Sequence, residues 1–257
     1  MEYLKQEFAK IKENGRSFLG IDGGDIKSSI WICGLEFGGS QEAMSAYYNS
    51  PEIKTYPHAG YDIPYRSDCP ETFLNSKYDR FLAVLYNNIF NDQKLLEYDK
   101  DVIDRVMKNE LYSNKSKIFK LNLYPIAKKN SDFDLNIEKK FQTTKGEYYG
   151  AIHEKRSSFF KELLKEFKPK KIICTTLQNG EEMFVDTFFG MGEWISYKKE
   201  IVTFKNMDHV EKKFKISQYR NELTTLVIIP FPGMGNGNLN SYLDMINMAN
   251  HLRNNYL

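Results

Sequence analysis

The sequence predicts an α/β fold in which a parallel sheet carries helices on both faces, and three observations predict it. Four short apolar runs, each of strand length and rich in Ile, stand apart along the chain. Segments with helical spacing separate them. No linker, internal repeat or low-complexity tract divides the chain, so residues 1–257 read as one domain.

The elements follow in order. Residues 1–12 place Tyr3, Leu4, Phe8 and Ile11 at a loose helical spacing. Asp22-Gly23-Gly24 then reads as a turn. The four runs are residues 29–34 (SIWICG), 117–123 (KIFKLNL), 171–176 (KIICTT) and 226–231 (LVIIPF). Continuous apolar runs of this kind suit parallel strands covered on both faces. Residues 51–70, with Tyr56-Pro57-His58-Ala59-Gly60-Tyr61, read as a long loop, either an ordered lid that could close over a site or a mobile arm. In residues 77–90, Tyr78, Phe81, Leu82, Leu85 and Ile89 share one helical face. Residues 101–111 form a further helical segment. Residues 153–167 bury Phe159, Phe160, Leu163, Leu164 and Phe167, and Pro169 stops that helix. Residues 195–204 and 214–219 carry β-branched and aromatic residues about a polar middle, which predicts an antiparallel hairpin added before the last core strand. The final helix opens at Asn240-Ser241, both suited to an N-cap, and buries Tyr242, Met245, Ile246 and Ala249.

Composition narrows the class. Hydrophobic residues make up 41% and charged residues 27%, enough apolar material to bury a core without disulfides or metals. The net charge of +2 permits a nucleic-acid partner without arguing for one. Cys33, Cys69 and Cys174 lack CxxC spacing, which argues against a disulfide framework or a structural zinc. The charged start MEYLKQEFAKIKENG has no signal-like apolar stretch, and no run reaches the roughly 18 apolar residues that span a bilayer. A cytoplasmic protein with no membrane partner is expected.

Ligands of open α/β sheets bind beyond the carboxyl ends of the strands. Those ends carry Gly34-Leu35-Glu36-Phe37-Gly38-Gly39, Asn122-Leu123-Tyr124-Pro125, Thr175-Thr176 with Gln178-Asn179-Gly180, and Phe231-Pro232-Gly233-Met234-Gly235-Asn236-Gly237-Asn238. Their glycines either expose amides to an anionic ligand or make tight turns. Neither glycine-rich loop is a dinucleotide fingerprint or a P-loop. Glu36, directly after a buried strand, is placed where burial raises a carboxylate's pKa and makes it a base; capping a helix or facing water is the plainer role. Asn122 offers the donor and acceptor needed to read a base edge, or it caps a strand end. His58, His153, His209 and His251 share no metal-ligand spacing, and no GxSxG elbow occurs. Lys128 and Lys129 lie where a phosphate backbone would pass. Tyr47, Tyr48, Tyr56, Tyr61 and Tyr65 either stack on bases or pack the loop itself.

Taken together, the strand ends resemble the uracil-DNA glycosylase superfamily, from about Ser29 to the C-terminal helix. Residues 30–38 (IWICGLEFG) look like the family's first motif, a strand ending in glycine with a polar residue two positions on. Asn122-Leu123-Tyr124-Pro125 is similar to the Asn-x-x-Pro segment of the single-strand-selective branch. Residues 153–176 match the helix and strand before the family's third core strand, and Ile229-Pro230-Phe231-Pro232-Gly233 falls where the family carries His-Pro-Ser.

The resemblance implies a three-layer α/β/α sandwich about a four-stranded parallel sheet, and hydrolysis of the N-glycosidic bond of a flipped, damaged base. DNA or another nucleobase-containing molecule is the implied partner, with no cofactor or metal. Glu36 would activate water. Asn122 would read the base in a pocket with Gly34, Leu35, Phe37 and Tyr124. Gly38, Gly39, Lys128, Pro232 and Gly233 would hold the phosphate backbone. The departures are specific. Phe231 stands for the family's histidine, Phe37 for a proline and Gly233 for a serine. Loss of one leaving-group donor costs about 3 kcal/mol of transition-state stabilisation; Asn236 or Asn238 is the nearest replacement. Three functions stay open: a divergent glycosylase, a glycosylase-like module that binds a base or single-stranded nucleic acid without cleaving it, and an unrelated enzyme on a similar sheet.

Overall fold

A computed structural model describes residues 1–36, 41–68, 74–127, 135–176, 180–190, 192–205, 210–233 and 238–257, apart from the side chains of Glu36, Leu135 and Asn136. In chain order the elements begin with α1 (Glu2–Asn14), β1 (Gly23–Gly24), β2 (Ile30–Glu36), α2 (Gln41–Tyr48), β3 (Ile53–His58), β4 (Tyr61–Arg66), α3 (Lys77–Phe90), α4 (Lys100–Asn109) and β5 (Ile118–Tyr124). There follow α5 (Leu135–Phe141), α6 (Lys145–Gly150), a π-helical turn (Ala151–Arg156), α7 (Ser157–Phe167), β6 (Lys171–Thr176), α8 (Glu181–Phe188), β7 (Ser196–Lys205), β8 (Glu211–Arg220), β9 (Thr225–Pro230) and α9 (Tyr242–Asn255).

The fold is α/β, built on a mixed seven-stranded sheet in the order β1-β5-β2-β6-β9-β8-β7. β2 pairs in parallel with β5 and with β6, and β6 with β9. Antiparallel pairs close both edges, β1 with β5 on one side and β9 with β8 with β7 on the other. The predicted hairpin, β7 with β8, is part of the main sheet, and β1 is a strand beyond the four runs and that hairpin. Side chains alternate between two cores, as strand geometry demands. Ile30, Ile32, Ile118, Ile173, Val227 and Ile229 pack with α3, α4 and α9. Trp31, Cys33, Phe119, Leu121, Ile172 and Cys174 face α7 and α8. Cys33 and Cys174 are free thiols. A third cluster joins α1, α2, α5 and α6 beside Tyr124 and Ile126.

Caps fix where the helices start. Ser76 accepts the Asp79 amide at the head of α3, and Ser241 with Asp244 forms a reciprocal capping box on α9.

Three predicted elements differ. Residues 51–70 do not form a long loop: β3 and β4 make a separate two-stranded hairpin. Ala59 and Gly60 both take positive φ, 50° and 80°, the two-residue turn that suits a hairpin's twist. Pro57 and Pro64 within the strands hide this in the sequence, because proline argues against a sheet interior. Asp22-Gly23-Gly24 is not a turn but leads into edge strand β1. A Cβ at Gly23 would lie 2.2 Å from the Pro64 carbonyl oxygen, so only glycine lets the hairpin cross there. The helix expected from His153 opens instead with the π-helical turn.

That turn ends in Arg156, which is 0% exposed. Its Nε donates to Leu123 O at 2.9 Å, its Nη1 to Ser17 O at 3.2 Å, and its Nη2 to Leu19 O at 2.7 Å and Asn122 O at 3.1 Å. Burial lowers the guanidinium's pKa to about 10, so it remains a cation at neutral pH. One side chain thus ties the 17–19 segment to the carboxyl end of β5. Arg156→Met leaves four carbonyls without that donor and is expected to lower stability by about 3 kcal/mol or more. Arg156→Lys, with one ammonium for acceptors on two segments, is expected to recover less than half. A urea midpoint within about 0.5 kcal/mol of the wild type for either variant would contradict this role.

Candidate functional site

The site begins where two neighbouring strands part. β2 and β6 pair only as far as Cys33 and Cys174, yet β2 runs on to Glu36 and β6 to Thr176. β2 keeps β5 beyond that point, through Glu36 opposite Tyr124, and β6 keeps β9 through Thr176 opposite Pro230. The sheet therefore opens between Gly34–Glu36 and Thr175–Thr176. Numbered along the chain, the strands in parallel pairs lie in the order 2-1-3-4, so this gap is also the point at which successive connections leave in opposite directions. That switch point is where doubly wound sheets accept ligands.

A polar layer lies against the opening on the α3 side. Tyr78 Oη and Thr175 Oγ1 share a hydrogen bond of 2.9 Å, and burial pushes the Tyr78 phenol far above its ordinary pKa, so it is neutral. Behind it the Lys120 ammonium, in a residue only 2% exposed, donates to Asp22 Oδ2 and to Asn122 Oδ1, both at 2.7 Å. The same ammonium lies 5.3 Å from the centre of the Tyr78 ring. Asn122 Nδ2 donates to Gly20 O at 2.7 Å and to Asp22 Oδ2 at 3.3 Å. A second buried group adjoins it: Arg66 lies 3.8 Å from the centre of the Tyr112 ring and 3.7 Å from Asp79, which accepts the Tyr112 hydroxyl at 2.5 Å.

Several residues expected to form the site meet here. Gly34 lies against Asn122 and Tyr78: a Cβ would stand 2.5 Å from Asn122 Oδ1 and 3.3 Å from Tyr78 Oη. Leu35 is half-buried between two cores. Phe231 stacks on Tyr78, with centroids 5.7 Å apart and planes at 22°. The Asn122 amide, expected to read a base, has both its donor and its acceptor engaged within the protein.

Others are placed differently. Tyr124 turns to Tyr148 and Tyr149 and donates to Met183 Sδ at 3.7 Å, so it packs against the helices. The Gly233 amide, expected to meet a phosphate, donates to Leu239 O at 3.1 Å, and Pro232 bridges to Leu239. Asn238 is buried. Tyr47, Tyr48 and Tyr56 donate to the carbonyls of Asp22, Ile21 and Gly24, so these tyrosines serve packing. Phe37, Gly38, Gly39, Lys128, Lys129, Asn236 and His209 lie outside the described residues, as does the Glu36 side chain.

Lys120, Asp22 and Tyr78 were not singled out as site residues from the sequence, and Thr175 was named only as part of a strand end. Lys120 and Asn122 did carry a signal: two polar residues at i and i+2 in an otherwise apolar strand share one face and need partners.

A separate cleft of about 830 Å³ opens between α1 and the β3–β4 hairpin, with Glu7, Lys10, Arg16, Lys54, Tyr61 and Asp62 along its walls. Its charges are mixed, and two are paired, Lys10 with Glu7 and Arg16 with Glu162. His58 is not on its wall but lies 5.5 Å from the Phe167 ring, while His251 pairs with Glu200 at 2.7 Å. Among the described residues there is no cluster of metal-ligating side chains, and no helix is long and apolar enough to cross a membrane.

Fold and strand pairing together define an α/β protein whose β2 and β6 part at the topological switch point. No protein-family model, curated protein or solved structure matches the chain.

Lys120→Met strands the buried Asp22 carboxylate and is expected to cost about 3–5 kcal/mol in unfolding free energy. The double variant Asp22→Leu, Lys120→Met is expected to lose at least 1 kcal/mol less than the two single losses together. Additive losses in urea melts would show that the pair is uncoupled.

Proposed function

We propose that the chain is a divergent DNA base glycosylase-like protein that takes a uracil-type base into the opening between β2 and β6. Water attacks C1′ of the sugar as the C1′–N bond breaks. Glu36 takes the proton from that water, and the base leaves with the bonding electron pair. The observation that carries this reading is the parting of β2 from β6 directly before Glu36, at the switch point. On the same reading β5, β2, β6 and β9 are the parallel centre of a three-layer α/β/α sandwich, with β1, β7 and β8 added at its edges. The two cores packed against opposite strand faces support that arrangement.

Phe231 sets the expected rate. It contributes an aromatic face beside Tyr78 where a donor to the departing base would otherwise stand. The missing donor lowers turnover roughly a hundredfold or more.

A second reading, binding of a base or nucleotide without cleavage, is favoured by a different observation. The Tyr78–Phe231 stack makes a flat wall, and the Asn122 amide is already engaged within the protein.

The test is a glycosylase assay on single- and double-stranded oligonucleotides carrying uracil, hypoxanthine or xanthine. Slow cleavage by the wild type is expected, abolished in Glu36→Gln and raised roughly tenfold or more in Phe231→His. Cleavage that survives Glu36→Gln would remove Glu36 as the base. No cleavage, with nucleoside binding that weakens in Phe231→Ala, would favour the binding module. Neither cleavage nor binding would defeat both readings.

A further inference from the structure

We propose that the outward face of the β7–β8 ribbon binds the sugar–phosphate backbone of a single-stranded nucleic acid. The charge is concentrated there. Of the ribbon's seven cations and two carboxylates, four cations, Lys199, Lys205, Lys213 and Lys215, and one carboxylate, Glu211, lie on this face, whereas the whole chain has a net charge of only +2.

The ribbon's two faces differ. Val202, Phe204, Phe214 and Ile216 turn inward to the core that α9 covers. The opposite face carries Tyr197, Lys199, Ile201, Thr203 and Lys205 on β7, paired respectively with Tyr219, Ser217, Lys215, Lys213 and Glu211 on β8. Lys199, Lys205 and Lys213 are exposed, and Ile201 is 65% exposed between them. Among the described residues Lys215 pairs with Glu181, while Lys199, Lys205 and Lys213 are in no ion pair. At about 3.3 Å per residue, Lys199 to Lys205 spans about 20 Å, a basic stripe the length of several nucleotides. At its foot Tyr197 lies 4.6 Å from Tyr219, whose ring meets Trp194 edge-on at 5.4 Å. Tyr219 and Trp194 are partly buried against the α8 side, which leaves Tyr197, 48% exposed, as the aromatic open to a base; cations along a strip that ends in such a ring suit single strands, whose bases are free to stack.

The ribbon's position links it to the crevice. Pairing of β8 with β9 stops at Ser217, but pairing of β7 with β8 continues to Lys205 and Glu211. The outer half therefore projects past the carboxyl ends of the parallel strands. Two contacts fix it there: Lys215 with Glu181, at the head of α8, and Lys212 with Asp244 at 2.9 Å, in the first turn of α9. The ribbon's outward face lies on the α8 side of the sheet and the Tyr78–Phe231 wall on the α3 side, so a strand held on the ribbon reaches the opening only around the carboxyl ends of β9 and β6. The proposal names a polymer as the ligand of that site, and it rests on the crevice reading for the strand's path but not for its affinity.

The experiment measures binding of a fluorescein-labelled 20-mer single strand, its duplex, and vesicles of phosphatidylserine and phosphatidylcholine over a salt series. The triple variant Lys199→Glu, Lys205→Glu, Lys213→Glu is compared with Lys108→Glu, Lys139→Glu, Lys165→Glu, which changes the net charge equally elsewhere. The ribbon variant is expected to bind the single strand at least thirtyfold more weakly, with the log–log salt slope smaller by about two. The control is expected to change less than threefold. Equal losses in both triples, tighter binding of duplex than of single strand, no oligonucleotide binding, or a preference for the anionic vesicles would each overturn the proposal. Ribbon-dependent binding with no effect of Glu36→Gln or Phe231→His on cleavage keeps this surface and defeats the crevice reading. Glu36-dependent cleavage with ribbon binding equal to the control does the reverse.

Discussion

The buried Lys120 ammonium is the contact on which the carboxyl end of this sheet depends. It sits in a fully buried strand whose other side chains, Asn122 apart, pack into apolar cores, so its charge must be met inside the protein. Asp22 and Asn122 meet it, and the Tyr78 ring covers it. The net energy of such an ion pair is small. Desolvating each ion costs several kcal/mol, and the mutual attraction roughly offsets that. What the contact does fix is position. Asp22 reaches Lys120 because Gly23 pairs with Lys120 across β1 and β5. Asn122 is held in the orientation that leaves room only for glycine at position 34. A strand edge, a helix and the floor of the opening are set by one cation.

Arg156 does the corresponding work on the other face. It converts the 17–19 segment from a free connection into a wall anchored to β5, using carbonyls that the sheet leaves over. Arg156 serves backbone carbonyls that need donors where the chain leaves regular structure, whereas Lys120 serves the side chains of Asp22 and Asn122. The parting of β2 and β6 thus has a rigid surround: Asn122 and Tyr78 on one side, Arg156 beneath the neighbouring strand end.

Much of the fold was legible because periodicity reports burial. The residues 171–176 and 77–90 coincide with β6 and α3, and the other apolar runs coincide with strands to within about two residues. The β3–β4 hairpin was not legible, since its prolines and its Ala-Gly turn lack the usual hairpin chemistry. Strand β1 was hidden for a similar reason: two glycines read as a turn, and only the nearness of Pro64 O to Gly23 and of Ile118 O to Gly24, with positive φ at both, shows why they are glycines. Of the site, the strand ends were readable, because position at the carboxyl end follows from topology alone. Which polar groups there are engaged was not readable. Asn122 looked available because its partners, Asp22 and Lys120, lie about a hundred residues apart in sequence. Gly233 looked available because its acceptor, Leu239, lies six residues further along the chain.

On the proposed reading, the distribution of contacts has a consequence for catalysis. A stacking wall at Tyr78 and Phe231 and a lysine stripe on the ribbon hold the ligand equally before and during bond cleavage. Uniform interactions of that kind raise affinity without raising turnover. Only a group that meets charge as it develops accelerates the step, and aromatic faces do not. A chain with phenylalanine at position 231 therefore shifts binding energy from the transition state to the ground state. Any chemistry then rests on one carboxylate, Glu36, at the end of a strand that has lost one of its two neighbours, β6, and keeps the other, β5.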